Sequence, residues 1–276
     1  MYVKVHKGTR QIGGNLIEIG TDRTRLLFDV GTNLPPLDDP KTEDPFELEG
    51  LTFGEPAFDW VFISHHHNGR YGLLVKLLPC IPVFAGEETI RILNVIADFT
   101  NRPRPEINFG LRSCRPIQLD DMRVTPIGAE HSARDAYMFL IQAEGKNVLY
   151  TGDYRMAENT LPEASRMLGG TGTLDLLISE GTNIRPEKPE RQSELHGEKW
   201  ITHRTTKRMR VCRGTVEDYH CSGHAYRDTS ESLIVSSLQP KALLPIRCEA
   251  EDRKEFLNLH DNCLVLGDGE RWEVGS

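Results

Sequence analysis

His65 and His67 stand two residues apart, just past the apolar run of residues 58–63. In extended chain, residues i and i+2 point to the same side, so a strand leaving for a loop here sets two imidazoles together. Neutral imidazoles suit a divalent cation, zinc above all, which takes tetrahedral nitrogen, sulfur and oxygen ligands. Three later loops hold the complementary residue types, each at the end of an apolar run. They are Glu130-His131 after residues 123–127, Gly152-Asp153 after residues 147–150, and Glu180-Gly181 after residues 174–179. Strand ends are where backbone leaves a core and a pocket can open. Alone, a loop histidine is more often a satisfied structural residue, and Gly-Asp is usually only a turn. Together, and each after a strand, His65, His67, His131 and Asp153 point to a metal site.

The elements that must carry these residues can be read from periodicity and turn chemistry. Residues 3–6, 15–19 and 25–29 read as strands separated by Gly-containing turns, as do 123–127, 137–142 and 147–150. Helical apolar spacing covers residues 71–78 and 87–99, the second with Glu87 and Glu88 in its first turn, where the helix dipole favours acids. Residues 242–246 and 263–266 are further apolar runs. The proline-rich acidic stretch 34–56 is long for a connection in a compact domain and is expected on the rim of a site. Strands and helices in mixed order predict a layered α/β sandwich.

Bulk composition sets the outer limits. The 276 residues can bury a full core, and 33 basic against 41 acidic residues give a net charge of −8, which argues against a whole-surface nucleic-acid binder. No apolar run reaches the length of a membrane span, and the first residues show no signal-peptide pattern. The six cysteines form no C-x-x-C pair, so buried free thiols in a reducing cytoplasm are expected.

At this point the chain resembles the metallo-β-lactamase superfamily, and within it the ribonuclease J-like, β-CASP-related branch. The resemblance runs through GTRQIGGNLIEI (residues 8–19), residues 64–72, EHSARDAYMFL (130–140), YTGDYR (150–155), SEGTN (179–183), HCSGHA (220–225) and residues 240–249 and 266–270. It implies an α/β, four-layer αβ/βα sandwich, here as one domain over residues 1–276. It implies that His65, His67, His131 and Asp153 are metal ligands. It also makes Glu180 the acidic support of a proton-donating His224, with His220 and Ser222 meeting the substrate phosphate.

Departures from the family pattern are equally specific. Where the intact loop has the Asp and His of a second metal, this chain has Gly69 and Arg70. Where a further histidine ligand belongs, it has Arg247. All the private ligands of one metal are gone while those of the other remain. Two arginines there could replace a cation electrostatically or grip an anionic substrate by bidentate hydrogen bonds. The nucleic-acid-clamping insertion of the branch is cut to a remnant, residues 183–219, whose Arg204, Lys207, Arg208 and Arg210 could touch RNA or nucleotide phosphates.

The expected function is phosphoester hydrolysis, of RNA or a nucleotide, with a single divalent metal, zinc or alternatively manganese. Arg70 and Arg247 would bind substrate beside His220 and Ser222. The alternatives are a catalytically inactive binding or assembly module, and a mononuclear hydrolase of a thioester or lactone. A homo-oligomer is compatible with the sequence, and a membrane is not expected as a partner.

Overall fold

The computed structural model describes residues 1–33, 44–155, 172–184, 223–249 and 251–276. The first sheet contains β1 (Tyr2–Lys7), β2 (Leu16–Gly20), β3 (Arg25–Phe28), β4 (Trp60–Phe62), β5 (Val83–Gly86) and β6 (Phe109–Leu111). The second contains β7 (Ile117–Leu119), β8 (Met122–Ala129), β9 (Ala136–Ala143), β10 (Lys146–Tyr150), β11 (Leu176–Glu180) and β12 (Ala242–Ile246); β13 (Arg271–Glu273) returns to the first sheet beside β1. Both sheets are mixed. In the first, β1, β2 and β3 are antiparallel neighbours and β3 to β6 run parallel. In the second, β7 to β10 alternate in direction, and β10, β11 and β12 run parallel.

The α-helices among the described residues are α1 (Asn68–Tyr71), α2 (Glu87–Thr100), α3 (Arg227–Glu231) and α4 (Arg253–Leu257). Period-two alternation sorts the strand residues into layers. Leu26, Phe28, Phe62, Val148, Tyr150 and Ile178 share the apolar cluster between the sheets, with Phe28 and Phe62 stacked at 5.3 Å. Leu27, Val61 and Ile63 instead face outward, against Leu93 of α2 and Leu73. Leu149, Leu177 and Leu243 face outward from the second sheet, against Phe256 of α4. Strands buried on both faces read as near-continuous hydrophobic runs. This is the expected four-layer α/β sandwich among the described residues.

Two readings of the sequence need correction. The helix expected over residues 71–78 is instead the single turn α1 and a 3₁₀ turn, Leu74–Lys76. The amides of Leu73 and Leu78 go to the carbonyls of Val30 and Leu51, and Pro79 disfavours helical backbone at Leu78. Of the four described cysteines only Cys248 is buried; Cys80 is exposed and Cys114 and Cys263 are intermediate. In the stretch expected on a rim, residues 44–56 are at least partly exposed apart from Gly50 and Leu51, and Asp44 pairs with the buried Lys7. Residues 34–43 lie outside the described residues. Among those described, no helix is long and apolar enough to cross a membrane.

Candidate metal centre

One edge of the sandwich gathers the residues singled out above. β3 leads into Asp29, β4 into Ser64 and His65, β8 into His131, β10 into Asp153 and β12 into Arg247, while Glu180 is the last residue of β11. Gly152 makes the β10 delivery possible. Its φ is +58°, and a Cβ there would come within 3.0 Å of the Tyr137 carbonyl oxygen and 3.1 Å of Ser64 Cβ. The turn α1 hydrogen-bonds back to the loop after β3, Val30 N–H donating to Arg70 O at 2.7 Å. Arg70 is thereby brought beside Asp29.

His65, His67, His131 and Asp153 offer ligand atoms that all lie within 4.8 Å of one another. Their hydrogen bonds fix how those atoms are presented. Ser64 Oγ–H donates to Asp29 Oδ2 at 2.9 Å, so Ser64 Oγ accepts from His65 Nδ1–H at 3.0 Å. His65 Nε2 is then a bare lone pair, 3.4 Å from Asp153 Oδ2. Both atoms are buried, and neither has a hydrogen-bond partner among the described residues. His131 Nδ1 donates to the Gly223 carbonyl, which turns its Nε2 toward His67 Nδ1 at 3.2 Å and Asp153 Oδ2 at 3.8 Å. A second hydrogen bond on the far ring nitrogen is how metal-ligating histidines are usually held.

Electrostatics agree with a cation site. Burial, aided by His131, pushes the His67 imidazole down to about 3, and burial pushes His131 down to about 4. Burial also holds His65 well below its ordinary value, despite the opposing pull of Asp153. Three neutral imidazoles thus face a carboxylate. Burial works against the charged form of Asp153, but Arg247, Arg70 and His224 outweigh it and hold the group well below the usual carboxylate range. Lone pairs facing an anion with no proton between them are costly unless a cation joins them. The donor set therefore fits a divalent metal.

Beside this set stand the two arginines. Arg70 is fully buried; its Nη2 bonds Asp153 Oδ1, and its Nη1 bonds Asp29 Oδ2 at 3.0 Å and the Tyr150 hydroxyl oxygen at 2.6 Å. Tyr150 O–H in turn donates to Asp29 at 2.6 Å. Burial lowers the Arg70 guanidinium, yet Asp153, Tyr150 and Asp29 raise it beyond its ordinary value. With no exposed surface and both terminal nitrogens engaged, Arg70 is placed to brace carboxylates. The expectation that it touches substrate finds no surface to rest on.

Arg247 is placed differently. Its side chain is 7% exposed, and its Nη1 lies 3.0 Å from Asp153 Oδ2 without the alignment of a hydrogen bond. Its Nε donates to Thr182 Oγ1 at 3.2 Å. The backbone at Arg247 is left-handed, φ +53°, held by donation of its N–H to Gly8 O at 2.9 Å. A Cβ on Gly69 would lie 3.1 Å from Gly13 Cα and 3.7 Å from Arg247 Nη1, so glycine-loop backbone and guanidinium occupy that corner.

His224 Nδ1 meets both Glu180 oxygens, at 2.9 and 3.1 Å, and lies 4.0 Å from Asp153 Oδ2. Burial lowers His224, but Glu180 and Asp153 together raise it above its ordinary value. His220, Ser222, Arg204, Lys207, Arg208 and Arg210 lie outside the described residues. Sequence reasoning passed over Asp29 and Tyr150. The available signal was a carboxylate closing an apolar strand, and a tyrosine whose buried hydroxyl needs a partner.

Comparison with known proteins places this arrangement. No protein-family model matches the chain. A protein of unknown function from Enterococcus faecalis V583 superposes with a TM-score of 0.71 at 16% identity, over 98% of this chain and 99% of that one. The metallo-β-lactamase fold protein YhfI from Bacillus subtilis superposes with a TM-score of 0.62 at 15% identity, over 99% of each chain. The chain has the metallo-β-lactamase fold. Among curated proteins, the probable RNase MJ4 of Methanocaldococcus jannaschii is 25% identical over 203 residues, 66% of this chain and 46% of that protein. Ribonuclease J 2 of Streptococcus pyogenes is 25% identical over 158 residues, 54% of this chain and 28% of its own length. These relatives support the ribonuclease J-like branch, although the chain spans less than half the length of either.

Proposed function

We propose that the protein is a phosphoester hydrolase that works with one divalent metal, its second cation replaced by arginine. The observation that carries this reading is the convergence of buried ligand atoms: His65 Nε2, with no hydrogen-bond partner among the described residues, faces Asp153 Oδ2 across 3.4 Å beside His67 and His131. Zinc or manganese held by these four residues would supply Lewis acidity to a substrate oxygen and lower the pKa of water. Arg70 holds Asp153 on the opposite side and neutralises it together with Asp29. Arg247, which pairs with Asp153 but keeps part of its side chain at the surface, binds an anionic oxygen of the substrate, which favours a phosphoester over a neutral thioester or lactone. His224, oriented by Glu180, gives a proton to the leaving oxygen. The names of the curated relatives favour RNA or a nucleotide, and His220, Ser222 and the basic run 204–210 would add phosphate contacts.

A second reading has its own observation. Both arginines already reach Asp153, so its charge is balanced without a metal ion, as a binding or assembly module would require. Turnover of a short RNA and of a nucleotide, with zinc or manganese added, separates the two. Wild-type turnover lost in both His67→Ala and His224→Ala supports the hydrolase. Equal rates in the three proteins would leave the binding module.

A further inference from the structure

Strands β11 and β12 are parallel neighbours, and their last residues, Glu180 and Ile246, are partners in register. The chain leaves both strands at the same edge, so the residues just beyond them meet. There Arg247 Nε–H donates to Thr182 Oγ1 at 3.2 Å, the one hydrogen bond of that side chain among the described residues. Arg247 Nη1 is buried 3.0 Å from Asp153 Oδ2 without an aligned bond. Nη2 has no partner among the described residues and is the terminal nitrogen left with surface. Thr182 is itself held in place. Its N–H donates to Glu180 Oε2 at 3.2 Å, and Ile184 N–H closes the turn on Gly181 O at 3.3 Å. A Cβ on Gly181 would fall 2.5 Å from Phe256 Cε2 and 3.1 Å from Cys248 Cβ, so this loop is packed against the one that carries Arg247.

We propose that Thr182 is the positioning residue of Arg247, fixing the guanidinium at Nε so that Nη2 is presented to a substrate phosphate. This rests on the reading of Arg247 as a substrate contact. The need for such a holder follows from Asp153. Its Oδ2 faces His65 Nε2 across 3.4 Å and His131 Nε2 across 3.8 Å as well as Arg247, so a cation held by these ligands draws on the oxygen that Arg247 pairs with. Thr182 is not a member of that ligand set, and its bond to Nε does not compete with it. A guanidinium is planar, so holding Nε sets the directions of both terminal nitrogens. An arginine already held has less rotamer freedom to lose when substrate arrives, which appears as affinity. Threonine suits the task because its branched Cβ makes it stiff about χ1.

Thr182→Val removes the acceptor and keeps the shape, while Thr182→Ser keeps the acceptor. A short fluorescein-labelled RNA reports binding by anisotropy with a chelator present, and its cleavage in zinc gives KM and kcat. Thr182→Val is expected to raise Kd and KM together by about three- to tenfold, the scale of one hydrogen bond, with a much smaller change in kcat and the same zinc content. Thr182→Ser should recover both constants. In an Arg247→Met background Thr182→Val should add nothing, because it acts through that side chain. Wild-type Kd and KM in Thr182→Val would overturn the inference alone, as would an equal further loss in the Arg247→Met background. Loss of zinc or of kcat in place of affinity would also overturn it, marking Thr182 as a structural support. A wild type that binds the RNA without cleaving it overturns only the hydrolase reading, and Kd then decides. One that neither binds nor cleaves it overturns both.

Discussion

Two arginines in one site are placed differently, and the difference lies in what each nitrogen touches. Arg70 spends both terminal nitrogens on Asp153, Asp29 and Tyr150 in the interior. Removing one member of a buried ion cluster leaves the others uncompensated, so Arg70→Met should cost about 3–5 kcal/mol of stability. Urea denaturation checks this, and a loss below about 1 kcal/mol would mean that Asp29 and Asp153 are neutralised by something else. Arg247 should behave as a substrate contact. Arg247→Met is expected to raise KM roughly tenfold or more with a smaller change in kcat, because the contact is made in the ground state as well. His224→Ala should instead lower kcat by roughly 10²–10⁴-fold while metal content stays unchanged. At this scale the histidines and Asp153 could be read from spacing after strands, because residue type and position carry the signal. Arg70's role could not: whether a guanidinium faces substrate or carboxylate depends on Asp29 and Tyr150, distant in sequence and paired only by the fold.

Between elements, two contacts are tight and buried. A Cβ on Gly31 would fall 1.7 Å from the Gly69 carbonyl oxygen, where the loop after β3 crosses α1. That oxygen is backbone and also accepts from Asn15 N–H, so it cannot step aside. Gly31→Ala should therefore cost about 3 kcal/mol or more and loosen the delivery of Arg70. A variant as stable as wild type would show that α1 moves freely. In β2, Glu18 is buried and bonded by Tyr2, His6 and Arg25. Burial opposes its ionisation, yet His6, Arg25 and Tyr2 bring its pKa down from 4.5 to about 2. A depressed carboxylate contributes stability that is fully present above its unfolded value and lost as pH falls toward its folded one. The window is thus from about pH 4.5 down to about 2, and its size is about 3 kcal/mol. Glu18→Gln should flatten that acid limb in denaturation midpoints; an unchanged limb would contradict the assignment. Element existence was legible wherever the apolar run was long, as in β8 to β10. The short strands β6, β7 and β13, three residues each, carry too few alternations to register. The false helix over residues 71–78 had the right spacing, but tertiary carbonyls took its amides.

For the whole molecule, the layered α/β architecture was legible because strands and helices follow one another in mixed order along the chain. The charge balance of the site was legible through the resemblance. Substitution of the second set of ligands is visible in Gly69, Arg70 and Arg247, and the family pattern leads both arginines to be expected beside Asp153, which both reach. The central claim is that one divalent cation and two guanidiniums do what two cations would otherwise do. Elemental analysis tests it most directly, on protein purified without added metal and again after equilibration with excess zinc. The expected result is about one equivalent per chain in both preparations, lost in His67→Ala, since this ligand set has room for a single tetrahedral ion. Two equivalents in the wild type, or none, would contradict it.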